Sequence, residues 1–501
     1  MNRTMNDLDI LLDELLVIRE NVYQDGTALY EKWKENISRN EFLPSAQNLA
    51  YYMALRKHDL RDLQERLIPW GLSSLGRLET RVLGTLDSVI KTLSKCIDRE
   101  IKEIDYPSKE SFELGNKLLR ENTIHAFGNE PPERYARIMV TLATEAAEQY
   151  KFVKKLMEHG MDVARINCAH DNQQIWKQMI NHIRQAEKEL GKSCKILMDV
   201  AGPKIRIERL LTNKPDPRVN IGDRIFLTNR KEMDNFYDLP IVISCNIPQI
   251  IDSLRNGNPV LIDDGQIEGI VEARMPEGVI IKVNKVVKQN GIKMRTERGM
   301  NFPGLFLKIG ILTEKDKQDL DFICKHADIV GGSFVKDVED IRILQNEMAI
   351  RLDKEQLKKI GLMVKVETIE AVESFPEILV AGAGRTPFSV MIARGDLAVE
   401  AGYERLSELQ EEILWMSEAA HLPVVWATQV LENLVKTGIP TRAEITDIAM
   451  GARAECVMLN KGDYIHDAVT ILDDVLQKFK KHQHKKTSRL RALKIAKSLW
   501  K

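Results

Sequence analysis

Cysteine is scarce: six residues in 501, with no C-x-x-C pair among them. That spacing removes the usual zinc and dithiol-redox motifs, so Cys96, Cys168, Cys194, Cys245, Cys324 and Cys456 read as free, buried thiols. An excess of charge is also missing, since 73 Lys and Arg face 74 Asp and Glu, for a net charge of −1. Nothing global pulls the chain toward nucleic acid or an anionic membrane. Long apolar runs are absent as well. Stretches such as 195–200 are far too short to cross a bilayer, and Met1 to Asp9 lacks the basic start and apolar run of a secretory signal. The expected location is cytoplasmic.

A chain of this length exceeds the roughly 250 to 300 residues that one hydrophobic core supports, so two or three domains are expected. Residues 1–125 carry apolar side chains at helical spacing, beginning with Leu8, Leu11, Leu12, Leu15 and Leu16. They read as a helical extension in which Pro44 and Ser45 start one helix and 71–76 interrupts the pattern. From Arg137 the texture changes to short β-branched or aliphatic runs, each followed by a helix-like stretch. The runs are 137–142, 163–168, 195–200, 327–334, 361–367, 389–395, 423–429 and 456–461. Eight such βα units close most simply into a (β/α)8 TIM barrel, covering 131–207 and 303–480, with its active site at the carboxyl ends of the strands.

Between the third and fourth runs, residues 208–302 are too many for one crossover and read as an inserted small β domain. Ile221-Gly222-Asp223, Asn256-Gly257-Asn258 and Asp263-Asp264-Gly265 supply turns between stretches such as Val279 to Val283. An insertion over the strand ends is placed to act as a water-excluding lid. The tail, 481–501, belongs to a stretch from Lys478 that carries ten Lys or Arg and no acid. A solvated helix end is the plainer reading and an anionic partner the alternative.

Polar residues collect where a barrel puts its chemistry. Asn167, Asp199, Lys365, Glu367, Asp396 and Thr428 fall at or just past predicted strand ends. Lys365 and Glu367, two apart on a strand, share a face, and Asp396 arrives at the end of the next strand. Two converging carboxylates need a cation, and an oxygen-only ligand set suits magnesium or manganese. Lys365 then serves as a point charge for a transferring phosphoryl group. A structural ion pair is the competing reading.

The runs M-D-V-A-R-I-N (161–167), I-D-D-G (262–265), G-M-N-F-P-G (299–304), L-T-E-K-D (312–316), M-I-A-R-G-D-L (391–397), W-A-T-Q-V-L-E (426–432) and P-T-R-A-E (440–444) resemble pyruvate kinase, in that family's order. The resemblance implies a phosphotransferase that moves the phosphoryl group of phosphoenolpyruvate to ADP through a metal-stabilised enolate, giving pyruvate and ATP. It implies Lys365 as the catalytic lysine, Glu367 and Asp396 as magnesium ligands and Thr428 as the residue linked to enolate protonation. Gly395 would offer its backbone N–H to the substrate carboxylate and Arg165 would hold the transferring phosphate. Asn167, His170, Arg206 and Arg298 fall at nucleotide-contacting positions, with arginine at 298 where the family usually has lysine.

Departures cluster on active-face loops. Ala143-Thr144-Glu145-Ala146 replaces Gly-Pro-Ala-Ser, Lys365-Val366-Glu367-Thr368 replaces Lys-Ile-Glu-Asn, and Asn460-Lys461-Gly462 shortens a longer loop. They motivate two alternatives: a phosphoenolpyruvate or oxaloacetate lyase-like enzyme without ADP, and a non-catalytic sensor or scaffold using the helical extension. The family's carboxy-terminal domain has no counterpart before Lys501, so hyperbolic saturation without sugar-phosphate activation is expected. Two of the family's four potassium ligands remain, Asn167 and Asp199, while Ala169 and Val200 replace a serine and a threonine. Lys204, where potassium-dependent relatives carry glutamate, is expected to substitute for that ion, so potassium is not expected to be required. Assembly with further copies and a protein partner on the extension are both compatible with the sequence, which identifies neither.

Overall fold

In the computed structural model, residues 2–488 apart from 235 and 306–308 are described. Eight parallel strands close into a barrel: β1 Arg137–Thr141, β2 Val163–Asn167, β3 Lys195–Asp199, β4 Ile329–Gly332, β5 Gly361–Val366, β6 Phe388–Ala393, β7 Val424–Ala427 and β8 Cys456–Leu459. Each strand pairs with its sequence neighbours, and β1 closes the ring on β8 through Arg137↔Cys456 to Val140↔Leu459. The β-branched and aliphatic runs form these strands because both faces are covered, by the interior on one side and by helices on the other. Sequence boundaries and observed strands agree within a few residues.

The insertion is a seven-stranded sheet in the order Met300–Asn301, Pro259–Ile262, Ile267–Met275, Gly278–Val286, Arg224–Thr228, Ile241–Cys245 and Ile207–Thr212. It encloses an apolar core of its own, around Ile225, Leu227, Ile243, Val271 and Ile281. The Asp263-Asp264-Gly265 turn takes left-handed φ values of 58°, 53° and 79°, as a tight hairpin requires.

Before the barrel come five α-helices: α1 Asn2–Lys34, α2 Leu43–Leu55, α3 Arg61–Leu67, α4 Val82–Cys96 and α5 Lys109–Phe127. Pro44 and Ser45 both stand in the first turn of α2, and the Ser45 side chain turns to the barrel. Its hydroxyl meets His421 Nδ1 at 2.9 Å, across the seam with the barrel. Asn48 Nδ2 donates to Ala419 O at 2.8 Å, Asn122 Nδ2 to His421 O at 2.8 Å, and the Ser38 and Arg39 amides to Gly384 O at 2.9 and 2.8 Å. The apolar core runs without a break from Leu12 and Leu49 into the barrel. At the end of α5, Phe127 is fully buried against interior residues that all eight strands supply, including Met139, Val163, Ile329, Met363, Met391 and Cys456. Val163, Ile329 and Cys456 open their strands, so Phe127 closes the barrel's amino end.

Two expectations are corrected here. Of the six free cysteines five are buried, while Cys96, at the end of α4, is exposed. Beyond the helix Ile465–Lys480, residues 483–488 form a small hairpin instead of a solvated helix end. Lys485 and Lys486 reach Glu455 and Glu79, so acids of the chain itself take these two charges. Residues 489–501 lie outside the described residues.

Candidate active site

The carboxyl ends of β5 and β6 bring Lys365, Glu367 and Asp396 together. Lys365, the fifth residue of β5, stands with Nζ 2.7 Å from Glu367 Oε1 and donates to Ser333 Oγ at 3.2 Å. Ser333 Oγ in turn donates to Val200 O at 2.8 Å, engaging the carbonyl of the residue that replaces the family's threonine. Glu367 is 1% exposed, and its Oε2 accepts the Phe334 amide at 2.6 Å. Phe334 adopts φ 59°, a conformation costly for an aromatic residue and placed beside the charged pair.

Burial pushes the Glu367 carboxyl above the ordinary glutamate value; Lys365 pulls it down and Asp396 pushes it further up. Its Oε1 lies 2.7 Å from the Lys365 ammonium, the ion pair that compensates this buried charge. That carboxylate and the adjacent Asp396 form a donor set that fits a hard divalent cation. Among the described residues no group of three or more His, Cys, Asp or Glu is arranged to hold a metal. A magnesium-like ion, which keeps several waters, needs only one or two carboxylates.

Asp396 lies in the first turn of the helix Arg394–Ala401, which follows β6 directly. Its Oδ1 is 2.9 Å from Lys204 Nζ, which also lies 4.0 Å from Asp264 of the insertion. Burial works against the Lys204 charge, but Asp396, Asp264 and Glu367 together hold it above the ordinary lysine value. Lys204 therefore ties the root of the insertion to the barrel mouth, helped by Asn301 Nδ2 donating to Glu400 Oε1 at 2.9 Å. It does not sit on Asp199, the expected potassium-site residue, because Arg165 already engages that carboxylate. Arg165 Nη2 lies 2.6 Å from Asp199 Oδ2 and its Nε 3.1 Å from Oδ1, while Nη1 donates to Thr141 Oγ1 at 3.1 Å.

The Gly395 amide donates to Thr428 Oγ1 at 2.8 Å, joining the two residues expected to face the substrate. Thr428 and Gln429 take left-handed φ values of 62° and 57° just past β7. Arg394 braces this corner, and its role escaped the sequence reading. It pairs with Asp447, donates to Ala427 O at 3.0 Å and Thr428 O at 2.6 Å, and lies 4.5 Å over the Trp426 ring. Its position between Ala393 and Gly395, in a motif already singled out, was the available signal.

On the β1, β2 and β8 side the mouth opens into a cavity of about 310 Å³. Arg165, Asn167 and His170 line it, with Lys461 from the shortened loop after β8. Asn167 Oδ1 accepts the Ala169 amide at 3.1 Å and so shapes the turn that presents His170. Desolvation at the cavity rim, then Lys461 and Arg206, lower the His170 imidazole below its ordinary value. Arg206 and Arg298 do not line this cavity. They sit at the root of the insertion, Arg206 Nη1 donating to Glu297 O at 2.9 Å and Arg298 pairing with Asp263.

A family model for the barrel domain of pyruvate kinase matches residues 133–469, all eight barrel strands and the insertion. The chain belongs to the pyruvate kinase family. It is similar to a pyruvate kinase of Dictyostelium discoideum, 31% identical over 348 residues that cover 67% of this chain and 64% of that protein. A Thermotoga maritima pyruvate kinase is 31% identical over 317 residues, covering 63% of each. Pyruvate kinase 2 of Synechocystis is 29% identical over 355 residues, covering 70% of this chain and 57% of the relative. The match thus spans less than two thirds of the length of these pyruvate kinases.

Proposed function

We propose that this pyruvate kinase family member transfers the phosphoryl group of phosphoenolpyruvate to ADP, yielding pyruvate and ATP. The observation that carries the reading is the buried Glu367 carboxylate, paired with Lys365 and within electrostatic reach of Asp396 at the barrel mouth. Glu367 and Asp396 would hold magnesium or manganese. When bound, such an ion neutralises charge on the substrate oxygens and fixes their placement.

The remaining roles belong to side chains. Arg165, made rigid by Asp199 and Thr141, offers a fixed guanidinium to the phosphate. Lys365 places an ammonium where negative charge develops as the phosphoryl group leaves. Thr428 and the Gly395 amide, already bonded to each other, stand for the proton-delivering and carboxylate-binding ends of the enolpyruvate. The cavity lined by Asn167, His170 and Lys461 takes the nucleotide, and the insertion excludes water from the transfer. A cytosolic setting suits these substrates, and no helix among the described residues is long and apolar enough to cross a membrane.

Pyruvate release from phosphoenolpyruvate, followed with and without ADP in magnesium buffer, tests this. Strict dependence on ADP is expected. Release without ADP would replace the proposal with a lyase-like activity, and no release under either condition would leave only a binding role.

A further inference from the structure

A second cavity, of about 550 Å³, shares no lining residue with the barrel mouth. Four separate parts of the chain wall it: the end of α2 with the turn and helix that follow, the segment 75–79, Trp415 of the barrel helix Tyr403–Ala419, and Lys486 of the terminal hairpin. Leu55, Leu60, Leu75 and Leu78 supply much of its apolar wall.

Its charges do not balance. Asp59 is taken by Arg61, 2.6 Å apart, and Glu79 by Lys486. Among the described residues Arg56 has no carboxylate partner within ion-pair distance. Its guanidinium instead lies 4.9 Å over the Trp415 ring and 5.6 Å over the Tyr52 ring, and Nη1 donates to the Tyr52 hydroxyl at 2.7 Å. Burial holds the Tyr52 phenol well above its ordinary value, so it stays neutral and cannot supply the missing negative charge. Lys486 adds a second cation 5.4 Å over the same Trp415 ring. An arginine held against two rings keeps its free N–H groups oriented for an outside acceptor, and the leucine walls favour a carbon body behind that acceptor.

We infer that this cavity binds a small organic anion, with Arg56 taking a carboxylate or phosphate head group and the Trp415 and leucine walls taking an apolar body. The site is independent of the proposed phosphoryl transfer. It lies where the helical extension, the barrel and the terminal hairpin meet, so occupancy would lock the three together.

Calorimetric titration of the full chain with phenyl phosphate, benzoate and uncharged benzyl alcohol tests the assignment. One equivalent of at least one anion should bind saturably and the alcohol should not; the tighter of the two anions identifies the head group. Arg56→Gln should weaken binding about tenfold, as expected for loss of a charge-assisted contact, and Lys365→Met should leave it unchanged. Absence of saturable binding by both anions at millimolar concentration, binding that survives Arg56→Gln, or binding lost with Lys365→Met would overturn it. Arg56 is exposed, so Arg56→Gln should melt like the parent. Should it melt earlier, Arg56→Lys decides: retention of most binding supports the site, and no more binding than with Arg56→Gln refutes it.

Discussion

The two ends of the barrel follow opposite plans. At the carboxyl end, Lys204, Lys365, Arg165 and Arg394 are held against Asp396, Glu367, Asp199 and Asp447, most of them buried or half-buried. At the amino end, Phe127 and a ring of Met, Val, Leu and Ile fill the interior. Apolar packing stabilises the barrel directly, whereas buried ion pairs return little net stability for their desolvation cost. The mouth therefore carries an expense that stability does not explain. Substitutions at the mouth should change turnover far more than melting, and those at the closed end should do the reverse.

The largest effect is expected at the mouth. Lys365→Met should lower phosphoryl transfer by more than about a hundredfold, because Lys365 stabilises negative charge that develops as the phosphoryl group leaves, a loss beyond any fall in melting temperature from leaving the buried Glu367 without its ion-pair partner. Steady-state turnover and a thermal melt decide it, and parental turnover would remove Lys365 from the mechanism. At the other end, Phe127→Ala deletes a fully buried ring and should cost about 3–5 kcal/mol of stability. Folded protein at low temperature should still turn over within a few-fold of the parent. A variant as stable as the parent would show that the extension does not seal the barrel.

A pH test sharpens the same contrast. Burial lowers the His421 imidazole to about 4, against an ordinary value near 6.5, while Ser45 and the Thr80 carbonyl bond its two nitrogens. Below about pH 6.5 the unfolded chain takes up a proton at this residue that the folded chain refuses, so stability falls as pH drops toward 4. The loss is on the order of 3 kcal/mol across that window. Denaturant unfolding of the parent and of His421→Gln at pH 7.5 and 5 should show a larger loss on acidification in the parent than in the variant, which keeps only the contribution of other depressed histidines such as His466. Equal slopes would exclude His421 as the source.

Most of the barrel was legible because strands buried on both faces read as unbroken apolar runs, and because strand ends are where a TIM barrel exposes its polar residues. The pairing of Lys365 with Glu367 could be foreseen for a similar reason: a spacing of two fixes a shared face. What escaped are contacts between segments far apart in the chain. Spacing cannot say that Arg394 finds Asp447, that the Ser45 hydroxyl meets His421, or that Lys485 and Lys486 return to Glu455 and Glu79. The seal at the amino end escaped for the same reason. Helical periodicity shows that α5 has an apolar face, but not that its last residue enters another unit's interior.

The smallest expected effect concerns potassium and the destination of Lys204. Ala169 has no side-chain oxygen, the Val200 carbonyl is engaged by Ser333, and Asp199 is engaged by Arg165. A potassium ion would therefore find few free ligands on that side of the mouth. Lys204 brings a fixed positive charge from the opposite side, 2.9 Å from Asp396 and within reach of Asp264. The expected outcome is activity that requires a divalent ion and is indifferent to potassium. Lys204→Glu should lower turnover by about tenfold or more, since it exchanges an attractive contact for a third carboxylate at close range. The loss should appear without a comparable change in melting, because one half-buried pair contributes little to stability. Initial rates in buffer free of sodium and potassium, with potassium chloride or a matched organic salt added, test the first expectation. A manyfold rise specific to potassium would show that the mouth still holds the ion, and that the Lys204 charge does not replace it.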